Sequence, residues 1–216
     1  GDILAVSKGS ALCNAYGIDT ITTGVSIGFA MEAFERGMLT LADTDGMDLR
    51  FGNAEAMLAC IEKIARQEGF GKFLALGTGR MADKLGGEAR MFAMVTKNQE
   101  FPMHEPRFKR GMAIGYALSP TGADHMHALH DAGLETPNAD GFMPMEVLRQ
   151  LGIVEPLALE DLGPAKVRAT LAHSIYSAMR NVLPCCHFVP WTLDEYTALV
   201  RGATGFDVTV YELLKV

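Results

Sequence analysis

The stretch of residues 13–37, CNAYGIDTITTGVSIGFAMEAFERG, limits the fold more than any other part of the chain. Gly17 can close one helix, because a left-handed residue there carries no Cβ penalty. Asp19 can open the next by accepting from orphan amides two or three residues on. Ile21, Val25, Ile27, Phe29, Met31 and Phe34 make that second helix apolar on more than one side, which predicts a central position for residues 19–36. Asn14, Asp19, Thr20, Thr22 and Thr23 gather at the corner between the two helices. Such a helix N-terminus suits an anionic or heteroaromatic ligand. It equally suits a capped interhelical turn with no ligand.

The same punctuation continues along the chain. Apolar spacing predicts helices over residues 2–16 and 53–68, the latter capped by Asn53 and ended by Gly69. Short helices are expected at 72–76 and 80–85, and a short strand within 91–100. Pro102 and Pro106 mark a loop, 108–118 reads as helix, and Ser119-Pro120-Thr121-Gly122 is a turn. Residues 123–129 read as a short helix, 132–144 as loop, and 145–151 and 166–183 as helices, the last broken by Pro184. Thr192 and Glu195 form a capping box, and Thr209 and Glu212 repeat it. The expected fold is mostly α and multihelical, with two small helical lobes, 1–131 and 132–216, and at most a short β strand or hairpin.

Bulk properties exclude several classes. The 216 residues, 49% hydrophobic, can bury a real core. A net charge of −7 argues against a nucleic-acid phosphate binder. No apolar run reaches the ~20 residues of a bilayer span, so no membrane partner is expected. Four scattered cysteines make no disulfide framework and suit a reducing, cytoplasmic setting. Asn181, Cys185 and Cys186 lie at a helix terminus, where two small apolar side chains or soft metal ligands are both reasonable. His125, His127 and His130 crowd one short segment. If helical, His127 and His130 would share a face with spacing suited to a divalent metal, or stand in water as a polar face.

Several segments together carry a resemblance. Asn14-x-x-Gly17-Ile18-Asp19-Thr20-Ile21-Thr22-Thr23-Gly24, then Ala30-Met31-Glu32-x-x-Glu35-Arg36-Gly37, resemble D-x-x-G-L-D-T-I-S-T-G…A-M-E-x-x-E-x-G. Phe51-Gly52-Asn53-Ala54-Glu55 is similar to R-W-G-N-x-E, and 61–71 to I-E-K-I-A-x-R-E-G-F-G. Gly115-Tyr116-Ala117 through His125 is similar to G-Y-A-T-x-x-R-G-x-x-H, and Asn181 to Cys186 to D-x-x-G-L-C. These are segments of the tungsten-dependent aldehyde ferredoxin oxidoreductases, and the resemblance covers nearly the whole chain.

The resemblance implies a fragment of a tungsten- or molybdenum-pterin oxidoreductase. Such an enzyme oxidises aldehydes to carboxylic acids and passes electrons through a 4Fe–4S cluster to ferredoxin. It implies tungstopterin contacts at Asn14, Ile18 and Asp19 and at Asn181 and Cys185, a cluster ligand at Cys186, and a substrate-facing His125. Asn14 and Asn181 stand where the family has Asp, Pro184 where it has Gly, and Cys185 where it has Leu. The family's C-x-x-C-x-x-x-C motif is not in this sequence. The chain is therefore expected to hold no cofactor alone, to be inactive in isolation, and to need the family's N-terminal domain as partner. Lys8 and Leu58 occupy the positions of a bridging-metal Glu and His, so no such metal is expected; a homodimer through other surface is allowed. The alternative is a non-catalytic helical remnant or interaction module that has lost the cofactor.

Overall fold

Local capping chemistry sets where the helices begin and end in the computed structural model, which describes residues 1–135, 148–149, 152–153, 155–189 and 191–215. The α1 helix (Ile3–Tyr16) starts at Asp2, whose carboxylate accepts from the Leu4 and Ala5 amides, and closes at Gly17 with φ 67°. The α2 helix (Thr20–Glu35) starts at Asp19, whose Oδ2 accepts from the Thr22 amide at 2.6 Å. Asn53 caps α3 (Ala54–Arg66), which ends at left-handed Gln67, two residues before the expected Gly69. Two short helices come next, α4 (Gly71–Leu74) and α5 (Thr78–Leu85). The expected strand is a minimal hairpin, β1 (Val95–Thr96) paired antiparallel with β2 (Gln99–Glu100). Lys97 and Asn98 turn it with φ 55° and 64°, the two positive values of a tight hairpin turn.

Contacts divide the chain into two compact units, Gly1–Met103 with Thr121–Ala123, and His104–Pro120 with Asp124–Val216. In the first, α2 packs against α1, α3, α4, α5 and β2. Gly24 and Gly28 each weaken a helix by about 1 kcal/mol relative to Ala. Burial of Ile27, Phe29 and Met31, at about 1.5–3 kcal/mol each, outweighs that. Tertiary burial, not propensity, thus holds α2 helical.

The α3–α4 connection explains the E-G-F-G run. Asp45 Oδ2 accepts from the Phe70 amide and from Lys63 Nζ, each at 2.8 Å, which pins the turn. The next residue, Gly71, lies so close to α3 that a Cβ would overlap the Lys63 carbonyl. A backbone obstacle cannot rotate away, so Gly71→Ala is expected to lower stability by about 2 kcal/mol or more. A urea titration monitored by circular dichroism measures this; an unchanged midpoint would contradict the close approach.

The second unit contains α6 (Arg110–Leu118), α7 (Pro164–Val182), α8 (Leu193–Thr204) and α9 (Val210–Leu213). Pro164 opens α7, where its missing N–H leaves no bond unmade. Both capping boxes form, at Thr192 with Glu195 and at Thr209 with Glu212. The core gathers Leu129, Leu134, Ala169, Tyr176, Met179, Leu193 and Tyr196.

Two expectations differ from the structure. Residues 123–129 form turns, not a helix, because Asp124 Oδ1 captures the Met126 amide at 2.8 Å. Contacts also divide the chain after Met103, whereas the sequence predicts a boundary at 131/132. Asp131 is the reason: its fully buried carboxylate accepts from the Gly111 and Met112 amides at the start of α6 and from Lys166 on α7. That ties residues 104–120 and 124–131 to α7 and the rest of the second unit. The helix expected at 145–151 lies largely outside the described residues, as does most of the loop at 132–144.

Candidate functional sites

Each unit carries one helix-end corner that the sequence singles out. In the first unit the Gly17 turn presents Ile18 half-buried and Asp19 exposed at the start of α2. Both line a cleft of about 510 Å³, together with Thr22, Thr23 and Ser26 of α2, the end of α3, and residues 74–77. Its far wall comes from Asn98 and Glu100 of the hairpin, with Arg80 on α5. Asn14 lies outside that lining: it is exposed in the last turn of α1, where its carbonyl accepts from the Gly17 amide at 3.3 Å.

Glu100 is the residue at this cleft that sequence reasoning missed. It is 3% exposed, and its Oε1 accepts from the Thr78 amide at 2.7 Å and from Ser26 Oγ at 3.4 Å. Its partners lie 22 and 74 positions away, so no local pattern points to it. Cys13 and Cys60 are buried in the same unit, and burial pushes the Cys60 thiol up to about 12. Such thiols are inert core groups.

In the second unit the end of α7 meets the histidine loop. Asn181 Nδ2 donates to His127 Nε2 at 3.3 Å, and His187 Nε2 donates to Asn181 Oδ1 at 3.0 Å. Cys185 is half-buried, packs on the core and donates its thiol to the Leu183 carbonyl at 3.2 Å. Cys186 is exposed, and its carbonyl accepts from Arg180 Nη2 at 3.3 Å. The structure thus joins His127, Asn181 and the Cys186 segment within one unit.

His125 is half-buried and stacks on His104, with ring centroids 5.1 Å apart and planes inclined by 27°. His130 meets His104 edge-on at 4.8 Å, and its Nε2 donates to the His125 carbonyl at 3.0 Å. His104 also escaped the sequence reading, since nothing in its loop marks it. Because 123–129 is not helical, His127 turns to Asp124 and Asn181, while His130 turns to the other rings. They share no metal-binding face, and among the described residues no three His, Cys, Asp or Glu side chains are placed to hold a metal ion.

Burial lowers the pKa of His125, with Asp124 opposing and Lys109 reinforcing the shift. The effect is stronger at His130, pushed down to about 4, and at His173, pushed down to about 3. His173 is 1% exposed, with Nε2 3.2 Å from Ser177 Oγ and no described partner for Nδ1. The folded form keeps His173 neutral where an unfolded histidine, with pKa near ~6.5, is protonated. Stability is therefore complete above pH ~6.5 and falls as pH drops towards 3, by roughly 1.4 kcal/mol per pH unit for one such group. Urea unfolding at pH 7 and pH 5, monitored by Trp191 fluorescence, should show that fall. His173→Leu should reduce the slope by about one proton; an unchanged slope would contradict the assignment.

Residues 1–216 match the family described as aldehyde ferredoxin oxidoreductase, domains 2 & 3. The tungsten-containing aldehyde ferredoxin oxidoreductase of Pyrococcus horikoshii is 30% identical over 220 residues, covering 100% of this chain and 33% of that protein. An aliphatic sulfonate oxidoreductase WOR-like subunit of Pyrococcus furiosus is 36% identical over 122 residues, 54% of this chain and 19% of its own length. A chain in the solved structure of the active-site complex BamBC of benzoyl coenzyme A reductase with 1,5-dienoyl-CoA shares the fold. It has TM-score 0.61 at 18% identity, over 92% of this chain and 34% of that one. The chain spans about a third of the length of the full-length relatives it matches. No helix among the described residues is long and apolar enough to cross a membrane. The chain belongs to the aldehyde ferredoxin oxidoreductase family and corresponds to its domains 2 and 3.

Proposed function

We propose that this chain forms part of a tungsten- or molybdenum-pterin oxidoreductase that oxidises aldehydes to carboxylic acids. Electrons would leave through a 4Fe–4S cluster to ferredoxin, in the cytoplasm, with the rest of the protein or a second copy completing the assembly. The observation that carries this reading is the cleft at the start of α2, walled by Ile18 and Asp19 and lined with hydrogen-bonding groups. Its acceptors fit a pterin: carboxylates at Asp19 and Glu100 and hydroxyls at Thr22, Thr23 and Ser26 can accept from ring amino and amide hydrogens. When bound, the metal–pterin group supplies the two-electron redox chemistry.

The chain's own residues then bind and orient. Asp19 accepts from the heterocycle, with Ile18 against its face and Asn14 at the edge of the corner. Asn181 and Cys185 would form the second contact at the end of α7. Cys186 is the exposed thiol of that segment and the candidate iron ligand; Cys13 and Cys60 are buried. A four-iron cluster would take its other cysteines from outside this chain. His125, held neutral by burial, can donate from one ring nitrogen to the substrate carbonyl and accept a proton at the other.

One observation favours the second reading, a helical module without cofactor. The Asn181 amide is already engaged by His127 and His187. Metal analysis of the whole protein, purified without oxygen, separates the two. Tungsten or molybdenum with about four irons and aldehyde-dependent reduction of ferredoxin support the enzyme. Absence of metals and of activity would support the module.

A further inference from the structure

We propose that Glu100 recognises the amino edge of the pterin in the first unit's cleft; this rests on the cofactor reading above and deepens it. Three observations lead there. Glu100 is the buried acidic side chain of the first unit, 3% exposed, yet it contributes to the wall of an open cleft. The described donors to it, the Thr78 amide and the Ser26 hydroxyl, both address Oε1, and no described group donates to Oε2. Asn14, the amide that stands in place of an acid in the corner motif, lies outside the cleft lining.

A carboxylate fixed in this way is prepared for a ligand with adjacent N–H donors. The Thr78 amide opens α5 and holds Oε1 in place. Little side-chain freedom is left to lose on binding. A 2-amino-4-oxopyrimidine edge presents an amino group beside a ring N–H, and Oε2 is placed to accept from it. Hydrogen bonds to a charged acceptor are roughly twice as strong as neutral ones. The cleft volume of about 510 Å³ falls within the roughly 300–1,000 Å³ of small-molecule sites. Glu100 thus supplies, from a hairpin far along the chain, the acid that position 14 lacks.

The test compares pterin with lumazine, the same bicycle with oxygen in place of the 2-amino group. Titration of the whole protein, prepared without its cofactor and read by ligand fluorescence, should give pterin binding about tenfold tighter than lumazine, as one charge-assisted hydrogen bond allows. Glu100→Gln keeps an oxygen for the Thr78 amide and should erase that preference. In the unmutated protein the Glu100 carboxyl carbon resonance should shift with pterin and not with lumazine, which decides the matter even if the variant folds poorly. Equal binding of the two ligands, or a preference that survives Glu100→Gln, would overturn the role of Glu100. If pterin binding then still falls in Asp19→Ala, the corner remains a cofactor site and only Glu100 is excluded. If the whole protein freed of its cofactor binds no pterin, the Glu100 assignment is lost, and the metal content of the protein as purified judges the cofactor reading separately.

Discussion

Replacing Lys166 with Met is expected to lower the stability of the second unit by about 3–5 kcal/mol. Lys166 Nζ and the Asp131 carboxylate form an ion pair with both side chains 0% exposed. The ammonium also donates to the Ala158 carbonyl at 2.7 Å, while Asp131 accepts from the Gly111 and Met112 amides at 3.1 Å. Charges removed from water are tolerated because each is matched by the other and by backbone groups. Met fills the volume but leaves a carboxylate whose remaining partners are two amides at the start of α6, which offset only part of the charge. The double variant Lys166→Met with Asp131→Asn should recover part of the loss, because a neutral amide can still accept from one amide. Trp191, the single tryptophan, lies in the second unit and reports its unfolding in urea. A loss under about 1 kcal/mol would be the value for an exposed pair and would contradict the burial.

His125→Gln in the whole protein is expected to lower kcat by about 10²–10⁴-fold, the usual range for a positioned acid–base group. Geometry supports this first. His104 stacks on one face of the ring, and His130 holds the His125 backbone carbonyl, so the loop presents the imidazole in one orientation. Burial keeps it neutral at pH 7, the form able to donate and accept at once. Gln retains a donor and an acceptor but cannot carry the proton. KM should change much less than kcat, and metal content should not change. A kcat within a factor of two of the unmutated enzyme would remove His125 from the reaction.

The parts of the fold that local chemistry dictates are legible in the sequence. Asp19, Asn53, Thr192 and Thr209 cap helices where their side chains predict, and Gly17 closes α1. Each device acts within three residues, so its signal survives in a linear reading. Residues 123–129 depart from the expected helix because the same short-range chemistry competes: the Asp124 side chain offers the backbone a turn instead. Lys166 shows the other limit. Within an amphipathic helix a lysine reads as surface, and its partner lies 35 positions away. The candidate sites divide in the same way. The corner at Asp19 and the end of α7 are visible as motifs, whereas Glu100 and His104 enter them only through tertiary approach. Asn14 reads as a contact from its motif position, yet it stands outside the cleft that Asp19 lines.

The iron content of Cys186→Ser in the whole protein tests the assignment of the end of α7 to a cofactor centre. Cys186 is exposed, in the segment that Asn181 joins to the histidine loop through His127 and His187. As a thiolate cluster ligand it should be indispensable, and about four irons per chain should fall to a small fraction while the fold persists. An unchanged iron and tungsten content would contradict the assignment of this helix end to the cofactor centre.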